Sequence, residues 1–339
     1  MRRTLLSLSL CTLGLAAPGA ADGQVRWPGR APAVTAAGQR ALDLGEALLL
    51  GASLPDRWLP QGAVLVQGAA PTRATMRALG VQHLDRALGL LPDDAHAHTL
   101  AAEAYAHLRQ LPRAEQHARR ALALDPRGPD APGAWFVLAL VRTLRGEHAE
   151  ARDAWLAELA FPLRPAEASV VWGNLAETWV SLRQLPEAVE AFTRAVSLDP
   201  DHALAWLGLA LARDRLGASP WDDARRAHDA ASGRAMASRS ARFALPAPRL
   251  DLDALVQQLH AEGVFFEPAY DRYAYEGIAY ESAARTLRES AAPDPDAGRA
   301  FTARALAAWE AWLRDAPADD PWRDQARHRA LRLRGTPTR

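Results

Sequence analysis

The sequence predicts an all-α chain built from stacked helix–turn–helix repeats. Three observations lead there. Hydrophobic residues make up 49% of the 339 residues while aromatics supply only 7%; alanine and leucine, both strong helix formers, account for most of the difference. A phrase recurs: Arg109-Gln-Leu-Pro112-Arg-Ala returns as Arg183-Gln-Leu-Pro186-Glu-Ala, 74 residues later. Half of that interval keeps the same frame. Ala114, Ala151 and Ala188 fall 37 apart, as do Tyr105, Arg142 and Trp179; His98, Trp135 and Trp172 follow suit, with Trp206 another 34 residues on. A fixed period of this size marks a solenoid.

Each repeated position has a physical task. Small residues at Ala102, Ala139, Ala176 and Ala210 let a paired helix approach, and large ones such as Trp135 and Trp172 fill the space beside them. Pro112 and Pro186 stand where a second helix starts, a place that tolerates a missing N–H. Gly146 supplies the turn of the middle copy, and Pro126 and Pro200 stop the second helices. One such unit cannot bury its apolar face alone, so the stack is the stable unit.

These residues resemble the tetratricopeptide repeat, a 34-residue helix–turn–helix unit. The fullest copy is 169–202, with Trp172, Leu175, Ala176, Trp179, Ala188, Phe192, Ala195 and Pro200 at the family's spacings. Copies at 95–128 and 132–165 fit less completely. A fourth opens at Trp206, Leu209 and Ala210, then degenerates after Pro220. The period of 37 is expected to place three extra residues in two connectors between repeats. The resemblance implies a right-handed α-solenoid that works as a protein–protein interaction scaffold without catalysis.

The remaining segments follow in chain order. Residues 1–21 read as a secretory signal: Arg2 and Arg3, a short apolar run, then Gly19 and Ala21 before the expected cut. Cys11 follows Leu10, where a lipoprotein signal has a small residue, so lipidation at Cys11 is not expected. Cleavage leaves 38 basic against 40 acidic residues, a net charge of −2, and no cysteine. The mature chain is then expected in a bacterial periplasm, without disulfide, zinc–thiolate site or membrane span, and with at most peripheral attachment to the envelope. Residues 22–32 read as extended. Residues 33–94 read as N-terminal helices of a divergent repeat, with a long insert between Leu50 and Arg73. Residues 95–236 hold the clear repeats, 237–250 a linker, and 251–334 a divergent repeat plus a cap. In that last part Tyr273, Gly277 and Tyr280 keep the spacing of a first repeat helix; Ala305, Trp309 and Trp312 keep that of the second, after an insert of roughly 16 residues. Arg323 to Leu333 reads as an arginine-rich closing helix with a solvated outer face.

Balanced charge argues against nucleic acid as a partner. All 40 basic residues are arginine, which removes Schiff-base chemistry and a phosphate-loop lysine. His96 and His98 lie two apart, so a helix aims them in nearly opposite directions and no metal site is expected. Asp294-Pro-Asp296-Ala-Gly298 lacks the further acids of a calcium loop. Phe265, Phe266, Tyr270, Tyr273, Tyr275 and Tyr280 could form a stacking surface for sugar or peptide, but core packing fits the repeat frame better. No cofactor is implied.

The family lines its concave surface with the first helix of each repeat. Carried over, the partner-binding positions are Phe136, Leu140, Leu144, Val170, Asn174, Glu177, Leu204, Leu207 and Leu211. The helix around Phe136 is apolar nearly all round, which implies burial on both sides. Two occupants of the groove remain open: a partner peptide, or the chain itself through 22–32 or 236–250. Two alternatives to a scaffold also remain, an enzyme or enzyme subunit with a site in the C-terminal third, and a glycan- or small-ligand-binding module.

Overall fold

In the computed structural model, the residues described are 32–49, 73–240, 254–260, 266–289 and 294–335. The signal sequence with Cys11, the segment 22–31, most of the predicted N-terminal insert and most of the predicted linker lie outside them. Among the described residues every regular element is a helix, and the fold is an all-α solenoid type built from helix–turn–helix repeats. Over these residues the chain divides into two compact units, 32–141 and 142–335.

The first unit begins with α1 (Pro32–Leu49) and α2 (Arg73–Leu90), which pack on each other. Glycines set their separation: a Cβ on Gly45 would lie 2.8 Å from Leu84 Cγ, and one on Gly80 would lie 3.1 Å from the Gly45 carbonyl oxygen. They form the divergent helix pair predicted there. Next come α3 (Ala95–His107), capped by Asp94 accepting from the Ala97 N–H, and α4 (Leu111–Leu124) with Pro112 in its first turn. The start of α5 (Ala131–Leu144) completes the unit.

The second unit continues with α6 (His148–Leu159), α7 (Pro165–Ser181), α8 (Leu185–Leu198), α9 (Ala203–Arg215) and α10 (Trp221–Ser240). Then follow α11 (Ala254–Leu259), α12 (Asp271–Glu289), α13 (Pro295–Asp315) and α14 (Arg323–Arg334). Helices α7 with α8, α9 with α10, and α12 with α13 pack as pairs.

The repeat is written most plainly in its turns. Arg109, Gly146, Arg183 and Gly217 all have positive φ, between 59° and 79°. In each, the next residue's N–H closes back on the first helix: Gln110 on Tyr105, Glu147 on Arg142, Gln184 on Trp179 and Ala218 on Arg213, all at 2.9 Å. This is the Schellman closure, which needs one left-handed residue. Its positions step by 37, 37 and 34, the steps of the aromatic series.

The structure differs from the sequence reading in three places. The first extra three residues do sit in a connector, but the second lengthen α7, which has 17 residues against 13 in α9. The fourth repeat, degenerate in sequence after Pro220, still closes with a helix, and that helix outruns its expected bound. Its second helix α10 buries Ala224, Ala227 and Ala231, so alanine spacing persists where the family's larger residues do not, and α10 runs to Ser240 into the predicted linker. The roughly 16-residue insert of the last pair is no loop. Helices α12 and α13, of 19 and 21 residues, absorb most of it. Gly277 and Trp309 meet as the frame requires, a Cβ on Gly277 falling 2.5 Å from the indole.

Candidate functional site

Within the second unit the inner faces of α7 and α9 were the expected groove. Leu204 and Leu207 have no exposed surface and Leu211 only 3%. They belong to one apolar cluster with Leu255, Val256 and Leu259 of α11, Tyr275 and Ile278 of α12, and Trp309 and Trp312 of α13. The chain's own C-terminal helices therefore occupy the inner face of α9. Of the segments foreseen for that task, 22–31 and 241–250 lie outside the described residues, and 236–240 form the end of α10. Val170 and Asn174 are also buried, while Leu144 and Glu177 keep part of their surface. In the first unit Phe136 and Leu140 are buried, and α5 is covered nearly all round, as its composition predicts.

A chain of polar contacts fastens α12 to α7 and α9. The Tyr275 hydroxyl donates to the Glu177 carboxylate. Arg215, whose side chain is 2% exposed, grips Asp271 with both terminal nitrogens, at 2.8 and 3.3 Å. The Trp312 indole N–H donates to the same carboxylate at 3.2 Å, and the Ser181 hydroxyl donates to the Glu267 carbonyl at 3.0 Å. Burial pushes the Glu177 carboxyl up to about 7, against the opposing hydrogen bond from Tyr275; Asp271 adds to the rise and Arg215 subtracts from it. Burial likewise holds the Tyr275 hydroxyl well above its usual range.

A second group closes the far side. Arg329 of α14 bridges Asp214 of α9 and Glu281 of α12, the latter at 2.8 Å. Glu281 also accepts from the Trp309 indole N–H at 2.7 Å and from Arg332 at 2.8 Å. Gln325 donates to the Asp214 carbonyl at 2.6 Å, and His228 of α10 donates through Nε2 to the Ala279 carbonyl at 2.9 Å. Every carboxylate in both groups is engaged by donors from another helix. Their chemistry is that of a joint between elements, since buried ions persist only when paired and hydrogen-bonded.

The aromatic cluster of the C-terminal part follows the same rule. Tyr275 is buried, and Phe266, Tyr270, Tyr273 and Tyr280 pack against the apolar cluster. Tyr270 meets Trp312 edge-on, with ring centroids 5.7 Å apart, and donates to Asp320 at 3.0 Å.

In the first unit His96 and His98 point apart. His96 lies between Asp130, 2.7 Å from Nδ1, and Glu46, 3.9 Å from Nε2. Burial works against its charge, but the two carboxylates outweigh it and raise its pKa to about 10. His98 turns instead to His117 of α4, which the sequence reading did not single out. Its signal was faint: His98 stands where later repeats have tryptophan. Among the described residues no cluster of three or more histidine, cysteine or acidic side chains is arranged for a metal ion. No described helix is long and apolar enough to cross a membrane.

A model of the tetratricopeptide repeat matches residues 77–129, 127–168 and 175–220. No curated protein sequence is significantly similar to the chain. Among solved structures, PilF of Pseudomonas aeruginosa is 15% identical, with a TM-score of 0.47, covering 80% of this chain and 99% of its own. YrrB, described as a TPR protein with an unusual peptide-binding site, is 17% identical with a TM-score of 0.40, over 75% of this chain and 98% of its own. MamA from Desulfovibrio magneticus RS-1 is 20% identical with a TM-score of 0.38, over 50% and 90%. The repeat match and the turns that recur at its period agree: residues 77–220 of the chain carry tetratricopeptide repeats.

Proposed function

We propose that this protein is a non-catalytic interaction scaffold of the bacterial periplasm that holds a protein or peptide partner at the envelope. The observation that carries the reading is the run of matched repeats over 77–220, a module whose surfaces serve recognition. Export rests on the signal pattern of residues 1–21. The carboxylates of the C-terminal part support a scaffold over an enzyme, because they join helices to each other.

Burial of Leu204, Leu207 and Leu211 favours recognition through what stays accessible. Leu156, Leu216 and Leu331 are 44%, 49% and 54% exposed, and Leu144 keeps part of its surface. The test is cross-linking capture from the source organism's envelope with the mature chain (22–339) as bait. Lysine is absent, so the linker must be photoreactive or carboxyl-directed. Leu144→Glu, Leu156→Glu, Leu216→Glu and Leu331→Glu should each fold, since charge at these positions meets water. A specific partner lost with one of them locates the surface. Identical capture by all five baits would overturn this placement. N-terminal sequencing of periplasmic protein should begin at Asp22; recovery of the full-length chain in the cytoplasm would overturn export.

A further inference from the structure

We propose that the pair of histidines between α3 and α4 is an acid-sensitive joint that opens the first clear repeat when both rings are protonated. The position is telling. His98, Trp135, Trp172 and Trp206 occupy one register, at steps of 37, 37 and 34. Three of the four are apolar indoles; the first is a titratable ring, and it meets a second titratable ring on the partner helix. His98 Nδ1 and His117 Nδ1 are 2.9 Å apart, with ring centroids at 5.2 Å.

The proton count follows from the neighbours. His98 Nε2 lies 3.1 Å from the Pro92 carbonyl oxygen, which can only accept. The proton of neutral His98 is therefore on Nε2, and its Nδ1 accepts. His117 must then carry its own proton on Nδ1 and donate it. A first proton can enter on His117 Nε2 and leave that bond intact. A second has only His98 Nδ1 to take, which would set two N–H groups head to head at 2.9 Å. The bond must break, and two cations must part.

The surroundings do little to relieve this. From α2 and the turn after it, Asp85 is held by the Tyr105 hydroxyl at 2.6 Å, Asp93 pairs with Arg120 at 2.7 Å, and Asp94 caps α3. From α4, Arg113 sits over the Tyr105 ring and Arg120 faces the pair. Tyr105 itself stacks on His117, centroids 5.4 Å apart. Burial lowers both pKa values, helped by Arg120 at His98 and by His98 and Arg113 at His117, and outweighs the Pro92 carbonyl, Asp94 and Asp93 at His98 and Asp85 at His117. An opened pair would bind protons that the closed pair refuses. Opening then becomes easier as the pH falls below the ordinary histidine value, by about tenfold per pH unit for each extra proton taken up.

The test is hydrogen exchange of the α3 and α4 amides in the mature chain, as protection factors at pH 7 and pH 5. Local readout is needed because His83, His148 and His228 are also held below their usual value elsewhere. Protection in α3 and α4 is expected to fall by about tenfold to a hundredfold per pH unit, and the fall is expected to vanish in His98→Gln/His117→Gln, whose amides keep the hydrogen bonds without titrating. A fall that persists in the double variant would overturn the proposal, as would equal protection at both values in the native chain. Should the double variant not fold, the ring resonances of the native chain decide. His117 can take one proton with the joint closed, but His98 should resist protonation until α3 and α4 lose protection. Titration of both rings at or above about 6.5 with the amides still protected would overturn it.

Discussion

Replacing Glu177 with glutamine should make the protein more stable at pH 8 and leave it unchanged near pH 4. The carboxyl sits under Tyr275, and burial moves it from an ordinary 4.5 to about 7. Between those values the folded chain keeps a proton that the unfolded chain releases, so stability falls as the pH rises through the window. Above it, the native chain carries the full cost of a charge in a poor place. A shift of this size corresponds to at most about 3.4 kcal/mol at 1.36 kcal/mol per pH unit. Glu177 keeps some exposed surface, and solvent screening reduces the figure to about 1–2 kcal/mol. Glutamine retains an acceptor for the Tyr275 hydroxyl, so the contact survives without the charge. Urea unfolding followed by tryptophan fluorescence at pH 8, 6 and 4 would read the difference between native and variant, with Trp309 and Trp312 in the affected core. A difference that shrinks steadily on acidification is the expected result. A glutamine variant less stable at pH 8, or a gap that does not depend on pH, would refute the reasoning.

Other substitutions test the packing. Arg183 holds a left-handed turn at φ 61° that glycine adopts freely, so Arg183→Gly should stabilise by about 1 kcal/mol in thermal unfolding. Gly208→Ala would set a methyl 2.3 Å from the buried Phe192 ring and should cost about 1–3 kcal/mol. Gly89→Ala meets nothing within 4 Å and should gain a few tenths of a kcal/mol, up to about 1. Arg329→Met leaves the buried Asp214 without its ion-pair partner, while Glu281 keeps Trp309 and Arg332, and should cost about 3–5 kcal/mol by chemical denaturation; a cost under about 1 kcal/mol would show that water reaches Asp214.

The repeats were legible because their cause is local. An alanine every 37 residues and a turn residue at the same step reflect contacts within a helix pair or between neighbours, and these leave a period in the chain. The closing helix was legible for the same reason, from Arg323 onward. What lies over α9 was not. Tyr275 and Glu177 are 98 residues apart, and Arg329 and Asp214 are 115 apart; neither pair repeats, so no spacing announces it. The sequence did mark α9 as apolar on the face carrying Leu204, Leu207 and Leu211, and so as needing a cover. It could not choose between a partner and the chain itself, because the same apolar face suits both, and its own-chain candidates, 22–32 and 236–250, did not include α11 and α12. The histidine pair stood in between. His98 broke the tryptophan series visibly, and His117 stands where the next two copies have Ala154 and Ala191, but neither departure by itself announced that the two rings meet.

The cover over α9 also bears on how such a chain could lengthen. Repeat arrays grow when a unit is duplicated and slots in beside its neighbours, using the same two faces as they do. Here the inner face of α9 is committed to Leu255, Tyr275 and Ile278, and its last carboxylate, Asp214, to Arg329. A copied unit inserted after α10 would find no matching seat and would displace the helices that complete the core. Copies inserted ahead of α7 would meet repeating neighbours instead. Variation in repeat number among relatives of this chain should therefore fall on the N-terminal side, with the block from α9 to α14 inherited whole.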